Sequence, residues 1–156
     1  VIKEKKSKNG LTYKSTKARA LIQNNFNEGI KHLGHSYLMK GRVIKGDGRG
    51  TALGFPTANL KVAADKCMPS PGVYQSTCKV NDKAYKSISY IGTKPTFSGQ
   101  SHSIETHLLG SKDIQLYDKE ISVFLEKQIR DEIKFSNAGS LISQIKDDIK
   151  QIQVNS

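Results

Sequence analysis

From residue 36 to residue 130, apolar positions come in short runs broken by Gly, Pro, Asn and Asp. Both flanks instead carry apolar groups at helical spacing. The short runs predict strands over about 37–45, 57–62, 72–80, 84–91, 102–109 and 119–130. Val80-Asn81-Asp82-Lys83 supplies a hairpin turn between the third and fourth. In the last strand Ile121, Val123 and Leu125 alternate with Ser122 and Glu126, the pattern of a half-buried strand. In the fifth, Ile104, Thr106 and Leu108 face one way, and Ser103, Glu105 and His107 face the other. Residues 15–35 read as a helix capped by Ser15 or Thr16, with Ala18, Leu21, Ile22 and Phe26 on its apolar side. A break is expected at Asn27–Gly29, then a short turn to Leu33. A last helix, capped by Ser136 or Asn137, carries Leu141, Ile142, Ile145, Ile149 and Ile152 at period 3.6. Six short strands and one packing helix predict a mainly β chain, a small closed or partly closed antiparallel barrel.

The chemistry concentrates between the first two strands. Gly46-Asp47-Gly48-Arg49-Gly50 places three alternate glycines where backbone N–H groups can approach phosphate oxygens, because no Cβ intervenes. Gly54-Phe55-Pro56-Thr57-Ala58-Asn59-Leu60 follows, and Pro56 fixes the entry into an extended segment. There Thr57 and Asn59 share one face, a hydroxyl beside an amide oxygen. Mg²⁺ carrying a nucleotide takes hard oxygen ligands of this kind, few in number and completed by water and phosphate. Glycines beside an oxygen pair point to an ATP-using phosphotransferase. The G-x-x-x-x-G-K-[ST] loop is absent, which excludes a Walker A site.

These residues also carry a family resemblance. GDGRG and LGFPTANL resemble the nucleotide-binding signature of riboflavin kinases, which make FMN from riboflavin and ATP. Further motifs follow in order: Pro71-Gly72-Val73-Tyr74, the Ile91–Phe97 loop IGTKPTF, Glu105-Thr106-His107-Leu108-Leu109, and Arg130-Asp131-Glu132-Ile133-Lys134-Phe135. The match runs from about Gly41 to Ile149. It implies a six-stranded Greek-key barrel with a C-terminal helix. It also implies ATP as co-substrate, riboflavin and FMN as acceptor and product, and ADP as the other product. Two positions depart from the family: Tyr90 stands where Asn is usual, and Gly110-Ser111 where Asp-Phe is usual. Both fall near the expected acceptor side.

By that resemblance, Gly46, Gly48, Arg49, Gly50, Gly54, Phe55, Pro56, Thr57 and Asn59 form the nucleotide side. Thr57 and Asn59 hold Mg²⁺, with Mn²⁺ or Zn²⁺ as alternatives. Glu105 occupies the family's general-base position and would deprotonate the ribityl 5′-hydroxyl. Glu105, His107, Arg130 and Phe135 are the expected substrate-binding residues. Three of these have a second reading. His107 either lines the pocket or is a hydrogen-bonded strand histidine, Arg49 either neutralises phosphate or is an exposed loop cation, and Arg130 either serves the flavin or pairs with Glu132. A different class also fits, a flavin-binding or regulatory barrel that has lost catalysis, with Tyr90 and Gly110 as its marks.

The N-terminal part has its own likeness. Lys14-Ser15-Thr16-Lys17-Ala18-Arg19 resembles a segment near the end of the adenylyltransferase module of bifunctional bacterial riboflavin kinase/FAD synthetases. Residues 1–36 are therefore expected to be a basic tail and helical linker, the remnant of such a module, and 37–156 the kinase barrel. A covalently linked adenylyltransferase domain is the implied partner, and FAD synthesis by this chain is not expected. His32-Leu33-Gly34-His35 matches the H-x-G-H of nucleotidylyl transferases, but no βαβ unit surrounds it, so that reading is set aside.

Composition changes little. The net charge of +11 suggests nucleic acid, yet residues 1–19 hold +6 of it, which leaves +5 for the other 137 residues. A Lys-rich terminal segment of this kind, expected to be poorly ordered over 1–14, does not make a nucleic-acid surface. No apolar run approaches a membrane span and no signal-peptide pattern appears, so neither nucleic acid nor membrane is an expected partner. Cys67 and Cys78 are the only cysteines and read as reduced thiols of a cytoplasmic protein.

Overall fold

The alternation of the central strands closes into a barrel. In the computed structural model, which describes residues 15–97, 99–111 and 114–154, the expectation for 1–14 lies outside the described residues. Two helices, α1 (Ser15–Asn24) and α2 (Phe26–Leu33), lead into β1 (Tyr37–Ile44). A four-residue turn α3 (Arg49–Ala52) and β2 (Ala58–Val62) follow. Then come β3 (Gly72–Val80), β4 (Lys83–Thr96), β5 (Gly99–Leu108), β6 (Glu120–Asp131) and α4 (Ala138–Val154). The strands close in the order β1-β2-β5-β4-β3-β6, and every pairing is antiparallel.

Inward residues fill the barrel: Met39, Leu60, Tyr74, Ile91, Ile104, Val123 and Leu125 are all buried. Part of this interior is polar. Ser76 bonds Ser87 and Ser89 at 2.8 Å, and Ser89 bonds Thr106 at 2.9 Å, so four buried hydroxyls satisfy one another. Phe26 of α2 packs edge-on to Tyr74 (4.8 Å) and Tyr37 (6.4 Å), which brings the helical segment into the same core. The β3–β6 register shifts between Val73 and Tyr74, leaving Ile129 as an extra residue. Asn27 serves the neighbouring backbone there: its Oδ1 accepts from Gln128 N (2.8 Å) and its Nδ2 donates to Gln128 O (3.1 Å).

Three boundaries differ from the sequence reading, the simplest being that β5 starts at Gly99 and not at 102, in register with the longer β4. The helix break falls at Asn25, whose side chain caps α2 by accepting from Glu28 N, and not at Asn27–Gly29. Gly29 stays helical because it lies against α1, where a Cβ would come within 2.9 Å of Ile22 Cδ1. The stretch Gly92–Thr96, a loop by the family resemblance and outside the predicted strand 84–91, continues β4. The β3 ladder ends at Gly72↔Ile91, so β4 is paired only with β5 beyond that point. No described residue of β3 is in register with it there, and a position outside that ladder tolerates a residue with no N–H to donate. The Asn81-Asp82 turn is as expected, with φ of 46° and 65° in a two-residue hairpin.

Outside the barrel, α4 lies on β3, β4 and β6, with Ile152 and Ile149 packed against Val73, Ile88 and Ile129. Asn137 is its cap, accepting from Ser140 N at 2.8 Å. His32 is buried within α2, and Gly34 ends that helix in the left-handed region, which is not the setting of an H-x-G-H motif. Among the described residues no helix is long and apolar enough to cross a membrane.

Candidate active site

Strand register sets out the site. On the outer face Asn59 lies opposite Glu105, Glu105 opposite Tyr90, Tyr90 opposite Val73, and Val73 opposite Arg130. This row runs across β2, β5, β4, β3 and β6. A cleft of about 430 Å³ lies along it. One end is polar, formed by Asp47, Gly48, Arg49, Gly50, Thr57 and Asn59. The other is apolar, formed by Val73, Ile88, Ile133, Phe135 and, from α4, Leu141 and Ile145. Glu105 stands in the row between the two.

The glycine loop is packed onto the oxygen pair. A Cβ at Gly46 would collide with the Asn59 amide, and one at Gly50 would collide with Phe55 O and come within 3.0 Å of Thr57 Oγ1. Gly48 takes φ 70° at the start of α3, a conformation that favours a residue without Cβ. Of the residues expected on the nucleotide side, Gly48, Arg49, Gly50, Phe55, Thr57 and Asn59 line the cleft. Gly46, Gly54 and Pro56 are not among its lining residues. Gly54 lies just after the α3 turn at φ 86°, and Pro56 O contacts His107 Nδ1 at 2.8 Å. His107 therefore does both things read for it, lining the cleft and fastening the Pro56 loop, with its ring edge-on to Phe55.

Thr57 Oγ1 donates to Glu105 Oε2 at 3.3 Å. With its proton so directed, the hydroxyl keeps its lone pairs for a cation, and the Asn59 amide oxygen is the second hard donor. The residues present thus fit a Mg²⁺-type ion. Among the described residues no group of three His, Cys, Asp or Glu side chains offers another metal site.

Arg130 pairs with Asp148 of α4, not with Glu132. Its Nε lies 3.1 Å from both carboxylate oxygens and its Nη2 2.9 Å from Oδ2, while its ring neighbour Phe135 lies at 5.9 Å. Glu132 instead accepts a hydrogen bond from Tyr90. Three charged residues of the cleft escaped the sequence reading: Asp47, Lys94 and Asp148. Lys94 Nζ and Asp47 Oδ2 form an exposed ion pair at 3.3 Å, and nothing in the local sequence links them. Asp148 did leave a signal, an acid inside the apolar stripe of α4.

The cleft thus lies on the outer face, with a glycine-lined polar end, an apolar end and a carboxylate between them. The riboflavin kinase family model, Flavokinase, matches residues 33–155, and the chain belongs to that family. Its relatives include proteins named bifunctional riboflavin kinase/FMN adenylyltransferase. That of Listeria monocytogenes is 36% identical over 131 residues, 83% of this chain and 41% of the relative. That of Escherichia coli K12 is 36% identical over 138 residues, 87% and 44%, and that of Bacillus subtilis 39% over 119 residues, 74% and 37%. The chain thus spans less than half the length of these relatives. A structure described as a macrolide-efflux protein from Streptococcus pneumoniae superposes with a TM-score of 0.85 at 28% identity, covering 96% of this chain and 49% of that one. Riboflavin kinase from Trypanosoma brucei shares the fold, with a TM-score of 0.56 at 20% identity over 76% of each chain.

Proposed function

We propose that this domain transfers the γ-phosphate of ATP to the ribityl 5′-hydroxyl of riboflavin, giving FMN and ADP. The observation that carries this is the position of Glu105, in register between Asn59 on the polar side and Tyr90 on the apolar side. The polar end takes the phosphates, with the N–H groups of the 48–50 turn and the Arg49 cation against their charge. The apolar end takes the flat flavin ring between Val73, Ile88, Phe135 and Leu141. The ribityl chain then reaches Glu105. Glu105 accepts the hydroxyl proton as the oxygen bonds to the γ-phosphorus and the bond to the bridging oxygen of ADP breaks. Thr57 and Asn59 are the residues that would hold Mg²⁺, which when bound neutralises phosphate charge. His107 keeps the Pro56 loop in place through its hydrogen bond. The reaction is assigned to the cytoplasm, where ATP is available.

A conduit through the barrel has no room, because Met39, Tyr74, Ile91 and Leu125 fill it. Incubation of the chain with riboflavin and Mg·ATP, followed by chromatography, is expected to yield FMN without FAD. Flavin binding with no FMN would replace the kinase by a binding module. For the metal–nucleotide ligands, Thr57→Ala is expected to weaken Mg·ATP about tenfold, the loss of one hydrogen-bond-strength contact. Calorimetric titration checks this, and an unchanged affinity would remove Thr57 from the ligand set.

A further inference from the structure

Tyr90 has no part in the chemistry above, yet it is the residue opposite Glu105 in the outer row. Its ring turns along β4 and lies over Gly92, where a Cβ would collide with the phenol oxygen. From there the hydroxyl donates to Glu132 Oε1, one residue beyond the end of β6. Burial, the Glu132 hydrogen bond and the charges of Glu132 and Glu105 all push the phenol above its ordinary range. Tyr90 is the donor and Glu132 the acceptor.

The bridge crosses the start of β3, since Gly72 and Val73 lie between Ile91 and Tyr90 on one side and Asp131 and Arg130 on the other. Residues 132–137 belong to no strand or helix. They nevertheless carry Ile133 and Phe135 into the apolar end of the cleft. The Tyr90–Glu132 bond ties this irregular segment to the row that holds Glu105.

We infer that Tyr90 and Glu132 form a positioning pair for the flavin acceptor. By fixing residues 132–135 at the apolar end, they set riboflavin affinity without acting on the nucleotide end. The inference rests on the kinase reading only for the identity of the ligand. The test is a titration of riboflavin, without ATP, into the parent chain, Y90F, E132A, E132Q and the Y90F/E132A double variant, read by flavin fluorescence. Steady-state KM values for both substrates follow. Y90F and E132A are each expected to weaken riboflavin about five- to tenfold, the loss of one hydrogen bond. The double variant binds no worse than either single variant, because both remove the same bond. E132Q retains most of the affinity, since its carbonyl still accepts, and the ATP KM stays unchanged. Riboflavin affinity of Y90F within twofold of the parent overturns the pair. So do losses that multiply in the double variant, or an ATP KM that rises in step. A parent that binds riboflavin but forms no FMN refutes the kinase and leaves the titration decisive for the pair. A parent that binds none refutes both.

Discussion

Replacing Glu105 by Gln is expected to slow FMN formation by about 10²–10⁴-fold, the usual contribution of a positioned general base. Riboflavin and ATP affinities should stay within a few fold. The substitution is nearly isosteric. A carboxamide oxygen can still accept from Thr57 Oγ1, which lies 3.3 Å from Oε2, so the ground-state geometry survives while basicity is lost. The lower half of that range is favoured by the chemistry. Phosphoryl transfer passes through a loose transition state in which positioning and electrostatics carry most of the catalysis, and the attacking hydroxyl loses its proton late. A single-turnover assay with saturating substrates isolates the step from product release. A rate within tenfold of the parent would remove the base assignment and make Glu105 a positioning group for Thr57.

How far sequence alone reaches is set by the range of each signal. Alternation over Ile104–Leu108 placed Glu105 and His107 on the outer face correctly, because burial on one side of a strand is a local, period-2 constraint. The same constraint fixed Thr57 and Asn59 against the buried Ala58 and Leu60. The continuation of α2 through Gly29 and the extension of β4 were not local. The first depends on Gly29 packing against Ile22, the second on β3 ending at Gly72, so that Gly92 and Pro95 lie outside its ladder. The same limit holds at the site. Arg130 lies two residues from Glu132, the nearest acid on its side of the strand. Its partner is Asp148, 18 positions away, which is buried in α4 and takes the guanidinium through both carboxylate oxygens. Glu132 is then left for Tyr90. Sequence proximity ranks partners by reach, whereas the fold ranks them by which charge would otherwise be buried unpaired. The Lys94–Asp47 pair, 47 residues apart, has no sequence signal of any kind.

Truncation of Asp148 to Ala is expected to destabilise the domain by about 3–5 kcal/mol, the cost of breaking a buried ion pair by removing one partner. For a chain of this size that lowers Tm by about 10 °C. The side chain of Asp148 is 3% exposed and that of Arg130 17%, so solvent replaces little of the lost interaction. Gln144 also loses its 3.0 Å bond to the carboxylate. The exposed Lys94–Asp47 pair is a different case, since surface pairs contribute roughly 0–1 kcal/mol. Removing both charges of the buried pair tests the cause. Arg130→Met with Asp148→Leu leaves no orphan charge, and an apolar replacement of this kind is about neutral or better. The double variant should therefore regain most of the lost Tm in a thermal scan. It should also keep riboflavin affinity within a few fold, because the guanidinium is engaged by Asp148 and serves the acceptor by holding α4, with Leu141 and Ile145, at the cleft. A double variant that is stable but no longer binds riboflavin would instead assign Arg130 a direct contact with the flavin.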